Sequence, residues 1–129
     1  MTFILIPKQG EDVQVNAWNW RPTLELLRAE NLLTEENYER LAAQGCRGSV
    51  DAVLAHRIAD VIERKLATMK PGERIRADLS VTAIPKEPQV FQPKTKADDI
   101  DINNLYSATY DWLTTFKEFC RRSEGFEVS

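Results

Sequence analysis

Residues 49–69 have the sequence SVDAVLAHRIADVIERKLATM, and this stretch decides the fold. Its apolar side chains recur at steps of three and four residues, which places them on one side of an α-helix. Ser49 is a suitable N-cap, Asp51 lies in the first turn, and Pro71-Gly72 breaks the pattern. We therefore predict a helix that forms part of the core. Its predicted buried side contains Val50, Val53, Leu54, Ile58, Val61, Ile62, Leu66 and Met69.

Two shorter helices are predicted before this stretch. Pro22 suits a first helical position, because its fixed φ angle fits and its missing N–H is not needed there. The first helix is therefore predicted over 22–30, with Asn31 as its left-handed terminator. Thr34 is a good N-cap, and two glutamates follow it near the positive end of the helix dipole. A second helix is predicted over 35–44.

A last helix is predicted from Ile102 or Asn103 to Ser123, with Trp112 offset from its broad apolar face. Three aspartates precede it, and their charges complement the helix dipole. They lack the glycine turn and the distal glutamate of a calcium loop, so helix capping explains them better. These residues are Asp98, Asp99 and Asp101.

Extended segments flank the helices. A strand over 2–6 and a second over 13–18, with a turn at 10–12, predict a hairpin. Residues 75–84 alternate with period two, which predicts another strand. Residues 126–128 are predicted to form a short terminal strand or to pack against the rest of the domain. Together these elements predict an α+β fold of about four helices packed with a small, mostly antiparallel sheet.

Composition and charge restrict the class of protein. A chain of 129 residues with 43% hydrophobic and 29% charged side chains predicts one globular domain over 1–129, with a Pro-rich surface loop at 85–97. No apolar run is longer than that at 3–6, which is far shorter than a membrane span, and no basic residue precedes 3–6 as in a secretory signal. The net charge of −3 comes without a basic stripe. We therefore expect a cytoplasmic protein that binds neither membrane nor nucleic acid.

One group of residues has the types found in metal-dependent enzymes. His56 is the only histidine, and Asp60 and Glu63 follow it by four and seven residues on the core helix. Such a trio can hold a metal or move a proton, so a small metal-dependent enzyme is one hypothesis. Arg57 and Arg64 alternate with these residues, and a solvated polar face with an Asp60–Arg64 pair is the more ordinary interpretation.

Other signatures of catalysis are missing from the sequence. Cys46 and Cys120 are the only cysteines, and their distant positions predict two buried thiols, with a single bridge between them as the alternative for an exported protein. Cys120 shares its helix with no histidine, which predicts a small hydrophobic role. The sequence contains neither G-x-S-x-G nor G-x-x-x-x-G-K, so hydrolase and nucleotide-binding classes lose support. We predict no catalytic residue, no metal and no cofactor.

Three tryptophans and an arginine are the candidate partner-binding residues: Trp18, Trp20, Arg21 and Trp112. Tryptophan and arginine supply much of the binding energy at protein interfaces, although both also occur in cores. We expect Trp20 in the core and Trp18 or Trp112 partly exposed. The favoured hypothesis is a non-enzymatic protein-binding module, with an immunity-like role as one form of it. A homo-oligomeric structural protein, whose aromatic patch meets its own copy, is a further alternative.

Several short motifs accompany these candidates. The chain has N-x-W-x-W-R-P over 16–22, F-x-x-F-C-R over 116–121 and G-F-E over 125–127, with S-V-D-A over 49–52. In these motifs it resembles a group of small uncharacterised bacterial proteins that have no known activity. The resemblance implies a bacterial cytosolic origin and a shared fold, and it carries over no catalytic residue. Residues 73–100 have no counterpart in it.

Overall fold

The computed structural model describes residues 2–43, 48–76, 79–83 and 107–128. Across these ranges the chain has an α+β fold, as predicted, with four helices and seven strands. The predicted loop at 85–97, the aspartates at 98–101 and Cys46 lie outside the described residues. In chain order the elements are β1 (Thr2–Pro7), β2 (Val13–Asn16), α1 (Ala17–Ala29), α2 (Glu35–Ala42), β3 (Ser49–Asp51), α3 (Ala52–Leu66), β4 (Glu73–Arg76), β5 (Val81–Ala83), β6 (Ser107–Thr109), α4 (Tyr110–Arg122) and β7 (Gly125–Val128).

The larger sheet has the strand order β2-β1-β7-β3, and its neighbours are antiparallel. It contains the predicted β1–β2 hairpin, and the predicted terminal strand lies in its interior, with Leu5 opposite Val128. Gly125 has a φ of +102°, and a Cβ there would come within 2.9 Å of the Val50 carbonyl oxygen. Only glycine lets β7 approach β3 this closely. One face of the sheet is buried, and it includes Phe3, Leu5, Val15, Val50, Phe126 and Val128.

The predicted single strand over 75–84 is wrong. The chain reverses at Leu79, whose φ is +71°, and the Arg76 N–H donates to the Ser80 carbonyl at 2.8 Å. Two strands, β4 and β5, replace the predicted one, and they join β6 in a separate sheet of order β5-β4-β6. Alternation of apolar and polar residues continued through the turn, so the pattern did not reveal the reversal.

Helix α1 begins five residues earlier than predicted. Asn16 is its N-cap, and the side-chain oxygen of Asn16 accepts a hydrogen bond from the Asn19 N–H at 2.9 Å. Pro22 therefore lies inside the helix and not at its first position. The predicted left-handed terminator is confirmed, since Asn31 has a φ of +59°. The N–H of Leu32 then closes the helix end by donating to the Leu27 carbonyl at 3.0 Å.

The N-termini of the next two helices give one confirmed and one corrected prediction. Thr34 caps α2 as predicted, and its hydroxyl accepts from the Asn37 N–H at 3.1 Å. Helix α3 is capped by Asp51, whose carboxylate accepts from the Leu54 N–H at 2.7 Å. Ser49, the predicted cap, belongs to β3. Val53 was predicted to be buried, but it lies on the outward side of the first turn and is 71% exposed.

Helix α4 begins at Tyr110, later than the predicted start at Ile102 or Asn103. Its N-cap is Thr109, whose hydroxyl accepts from the Trp112 N–H at 3.1 Å. The three residues before the helix form β6, which the sequence did not predict. The predicted caps at 98–101 therefore do not begin this helix.

The core lies between the larger sheet and the helices. Helix α3 forms part of this core, as predicted, and its contact with α4 is the most extensive one between two elements. The Trp20 and Phe116 rings meet edge to face, with centroids 5.5 Å apart, and Phe119 meets Phe126 in the same way at 5.2 Å. None of the described helices has the length and apolar composition needed to cross a membrane.

Candidate functional site

The structure separates the four candidate partner-binding residues. Trp20 is 1% exposed, and its indole N–H donates to the Leu41 carbonyl at 2.9 Å. This hydrogen bond ties α1 to the last turn of α2 inside the core. The expectation that Trp20 is a core residue is confirmed. Its inclusion among the partner-binding residues is corrected, because its side chain does not reach the surface.

Trp112 is half-buried on α4. Its ring stacks on Phe116, with centroids 5.3 Å apart and planes 12° apart. The indole N–H of Trp112 donates to the Thr23 hydroxyl at 2.9 Å, and that hydroxyl donates to the Asn19 carbonyl at 2.8 Å. Thr23 is fully buried, so Trp112 joins α4 to α1 and leaves one part of its ring at the surface.

Trp18 and Arg21 form the exposed part of the predicted cluster. Trp18 is 45% exposed, and Arg21 is also exposed. The two residues are three positions apart on α1, so they lie on the same side of the helix. The same side continues through Glu25 and Arg28 toward α2.

Contacts with α2 fix the side chains on this side of α1 near the C-terminal end of the helix. The Tyr38 hydroxyl donates a hydrogen bond to the Glu25 carboxylate. The Arg28 guanidinium lies 4.7 Å from the centre of the Tyr38 ring and 3.1 Å from the Glu35 carboxylate. Burial raises the pKa of Tyr38, and the hydrogen bond to Glu25 raises it further. We call this surface the α1–α2 face, formed by Trp18, Arg21, Glu25, Arg28, Glu35 and Tyr38.

The carboxylates proposed for a metal site contact a cation instead. The Arg121 guanidinium of α4 lies 2.7 Å from Glu63 and 3.7 Å from Asp60. The hydrogen bond and charge of Arg121 lower the pKa of Glu63. The structure thus places Arg121 with Asp60, where the sequence predicted Arg64. His56 is exposed, and the described residues contain no group of three or more His, Cys, Asp or Glu side chains that could hold a metal ion.

Cys120 is buried among the core aromatics, as predicted. Burial raises the pKa of its thiol far above the usual range. The thiolate, which is the nucleophilic form, is therefore suppressed. A small hydrophobic role accounts for this residue.

No family model, curated protein or solved structure matches the chain. The assignment of a site therefore depends on the geometry of this molecule. The resemblance of its motifs to small bacterial proteins stays a prediction.

Sequence reasoning missed a groove between α1 and α3. Two adjoining depressions of about 230 and 250 Å³ share Glu30, Val61 and Arg64 in their walls. The turn at Asn31 brings Leu32 to the edge of one of them. The arginine spacing on α3 was visible in the sequence, but its apolar partner surface on α1 was not. We call this region the α1–α3 groove, lined by Leu26, Glu30, Leu32, Arg57, Asp60, Val61, Arg64, Lys65 and Thr68.

A third concavity lies at the surface of the larger sheet. It has a volume of about 420 Å³, and Ile6, which is 41% exposed, lies at its wall. Ile6 faces Glu127 across β1 and β7, and Glu127 faces Ser49 on β3. The charged residues of this concavity are of both signs, with Lys8 near Asp51 and Glu127. The described residues that line it include no histidine or cysteine.

Proposed function

We propose that this chain is a non-enzymatic protein-binding module whose contact surface is the α1–α2 face. The observation that carries the proposal is the exposure of Trp18, which stands at the start of a helix fixed by an N-cap and by core packing. A tryptophan side chain hides a large area from water and has few rotors to immobilise. An exposed one on a rigid helix is therefore well suited to anchor a partner.

The remaining residues of the α1–α2 face support this role through preorganisation. Arg28 is held by the Tyr38 ring and the Glu35 carboxylate, and Tyr38 is held by Glu25. Side chains that are already ordered lose less conformational entropy when a partner binds. Arg21 supplies a guanidinium on the same side of α1 as Trp18, and tryptophan and arginine are both enriched at binding hot spots.

The groups that a catalytic alternative would need are engaged in other ways. Asp60 and Glu63 contact Arg121, and the Cys120 thiol is buried and protonated. These contacts favour a structural role for each group. They support the choice of a binding function over a metal-dependent or thiol-dependent reaction.

The test is affinity capture from a lysate of the native host on the immobilised chain. We expect the wild-type chain to retain a partner protein, and we expect W18A to reduce the retained amount by about tenfold or more. V53A is the matched control, because Val53 is exposed on α3 and its removal also deletes exposed apolar atoms. The proposal fails if W18A and V53A retain the same amount, or if the wild type retains no protein.

Light scattering separates a foreign partner from a second copy of this chain. A hetero-partner predicts the mass of a monomer for the isolated protein. A dimer mass that W18A lowers to a monomer mass would instead assign the α1–α2 face to self-association.

A further inference from the structure

We propose that the α1–α3 groove binds an acidic amphipathic helix of a partner protein, one that presents an apolar side chain between two carboxylates. This inference goes beyond the proposed function, because the groove lies on another side of α1. Arg21 and Leu26 are five positions apart, which places them about 140° apart around the helix axis. The two surfaces can therefore be tested separately.

The α3 wall of the groove has a regular spacing. Arg57, Val61 and Arg64 follow one another at steps of four and three residues, so they form one row along the helix. The two arginines are about 10 Å apart along the axis, at 1.5 Å per residue. A helix with two glutamates seven positions apart and a leucine between them has the same spacing with the opposite charge.

The charge of the groove favours an anionic ligand. In the described part of the chain, no ion pair involves any of the three cations of the groove. The groove also contains two acids, but Asp60 lies 3.7 Å from Arg121 on α4 and its charge is partly neutralised there. Glu30 is the other acid. The cations are Arg57, Arg64 and Lys65.

The floor of the groove favours an apolar anchor between the anionic groups. Leu26 and Val61 are buried at the base, and half-buried Leu32 adds a further aliphatic surface. Arginine guanidinium groups bind carboxylates through two parallel hydrogen bonds, which lysine cannot reproduce. An amphipathic acidic helix satisfies the floor and the two arginines at once, whereas a simple polyanion leaves the floor uncovered.

The experiment uses the full chain and a fluorescein-labelled helical peptide that repeats the heptad Glu-Gln-Ala-Ala-Leu-Gln-Ala. We expect saturable binding by fluorescence anisotropy, and weaker binding when salt rises from about 50 to about 200 mM. The double variant R57Q/R64Q is expected to lower the affinity by about tenfold or more. The matched control is R40Q/K70Q, which removes the same charge from exposed positions outside the groove. It is expected to bind as the wild type does.

A second peptide with Gln in place of Glu tests the role of the carboxylates. Equal binding of the two peptides would overturn the proposal, as would unchanged binding by R57Q/R64Q in a protein whose thermal unfolding matches the wild type. A DNA duplex that binds as tightly as the acidic peptide, and is lost in the same variant, would also overturn it. That result would assign the groove to polyanions in general.

The two proposals fail in different ways. W18A is expected to bind the acidic peptide as the wild type does, because Trp18 lies outside the groove. Loss of peptide binding in W18A would place the peptide on the α1–α2 face and overturn the groove proposal while leaving the proposed function standing. If W18A reduces partner capture but the wild-type chain does not bind the peptide, the groove proposal is also overturned and the proposed function stands.

Discussion

Trp18 and Trp20 are two positions apart on α1, yet their environments are opposite. Trp20 is sealed in the core with its N–H on the Leu41 carbonyl, whereas Trp18 is nearly half exposed beside Arg21. A shift of two positions turns a side chain by about 200° around a helix, which is enough to move it from interior to surface. On this helix, therefore, core packing and the proposed recognition surface lie on different sides, and substitutions can separate them.

The largest expected effect is that of W20A. This substitution removes a buried indole and leaves the Leu41 carbonyl without its donor, so we expect the free energy of unfolding to fall by about 3–5 kcal/mol. W18A is expected to lower it by clearly less, because Trp18 is 45% exposed and its loss leaves no cavity inside the core. Urea denaturation followed by circular dichroism measures both. Equal losses of stability in the two variants would show that the two sides of α1 do not differ in their contribution to stability.

The buried hydroxyl of Thr23 gives the next largest effect. T23V keeps the shape of the side chain but removes the acceptor of the Trp112 N–H, which predicts a loss of about 1–3 kcal/mol. W112F removes the donor. The double variant T23V/W112F should lose less than the sum of the two single variants, because neither partner is then left unsatisfied. Additive losses would show that this hydrogen bond contributes little to joining α4 to α1.

A smaller effect is expected on the exposed side, at Tyr38. Y38F removes the hydroxyl that donates to Glu25, which predicts a loss of about 1 kcal/mol at neutral pH. Because the pKa of Tyr38 is raised above its usual value of 10.0, its contribution is complete below that pH and is lost as the pH rises through the folded-state pKa. The stability difference between wild type and Y38F should therefore shrink above pH 10. A constant difference would contradict the assignment.

The smallest effect is expected at the surface pair of Glu63 and Arg121. The pKa of Glu63 is lowered by Arg121, so its contribution is present above the usual value of 4.5 and is lost as the pH falls through the folded-state pKa. E63Q should leave thermal unfolding at neutral pH almost unchanged, because exposed ion pairs contribute little. It should flatten the acid side of the stability curve. An undiminished acid dependence would assign that slope to other carboxylates.

The sequence predicted the helices better than the points at which they begin. Thr34, which follows a loop, was correctly predicted as a cap, whereas the starts of α1, α3 and α4 were all misplaced. In each of those three helices the last residue of a strand is also the N-cap, and no linker separates the two elements. The three dual-role residues are Asn16, Asp51 and Thr109. A cap pattern alone cannot show whether a strand or a loop precedes it.

The candidate site could be predicted only in part, because a local sequence pattern does not show which residues the fold exposes or brings together. Residue type indicated that an exposed tryptophan near Arg21 could bind a partner, but only the phase of α1 shows that Trp18 is the exposed one. The α1–α3 groove depends on Leu32, which reaches it through the left-handed turn at Asn31. Two elements distant in sequence form the groove, so no local pattern contains it.

The place of β7 has a consequence for the order of assembly during translation. Residues 125–128 separate β1 from β3 in the sheet, so those two strands gain their shared neighbour only after nearly the whole described chain has left the ribosome. The β1–β2 hairpin can form early, but the edge of β1 that faces away from β2 stays unpaired until β7 is available. Pairing between strands that are distant in sequence slows folding. Chaperones that shield unpaired strand edges would act on the chain before β7 pairs with β1 and β3.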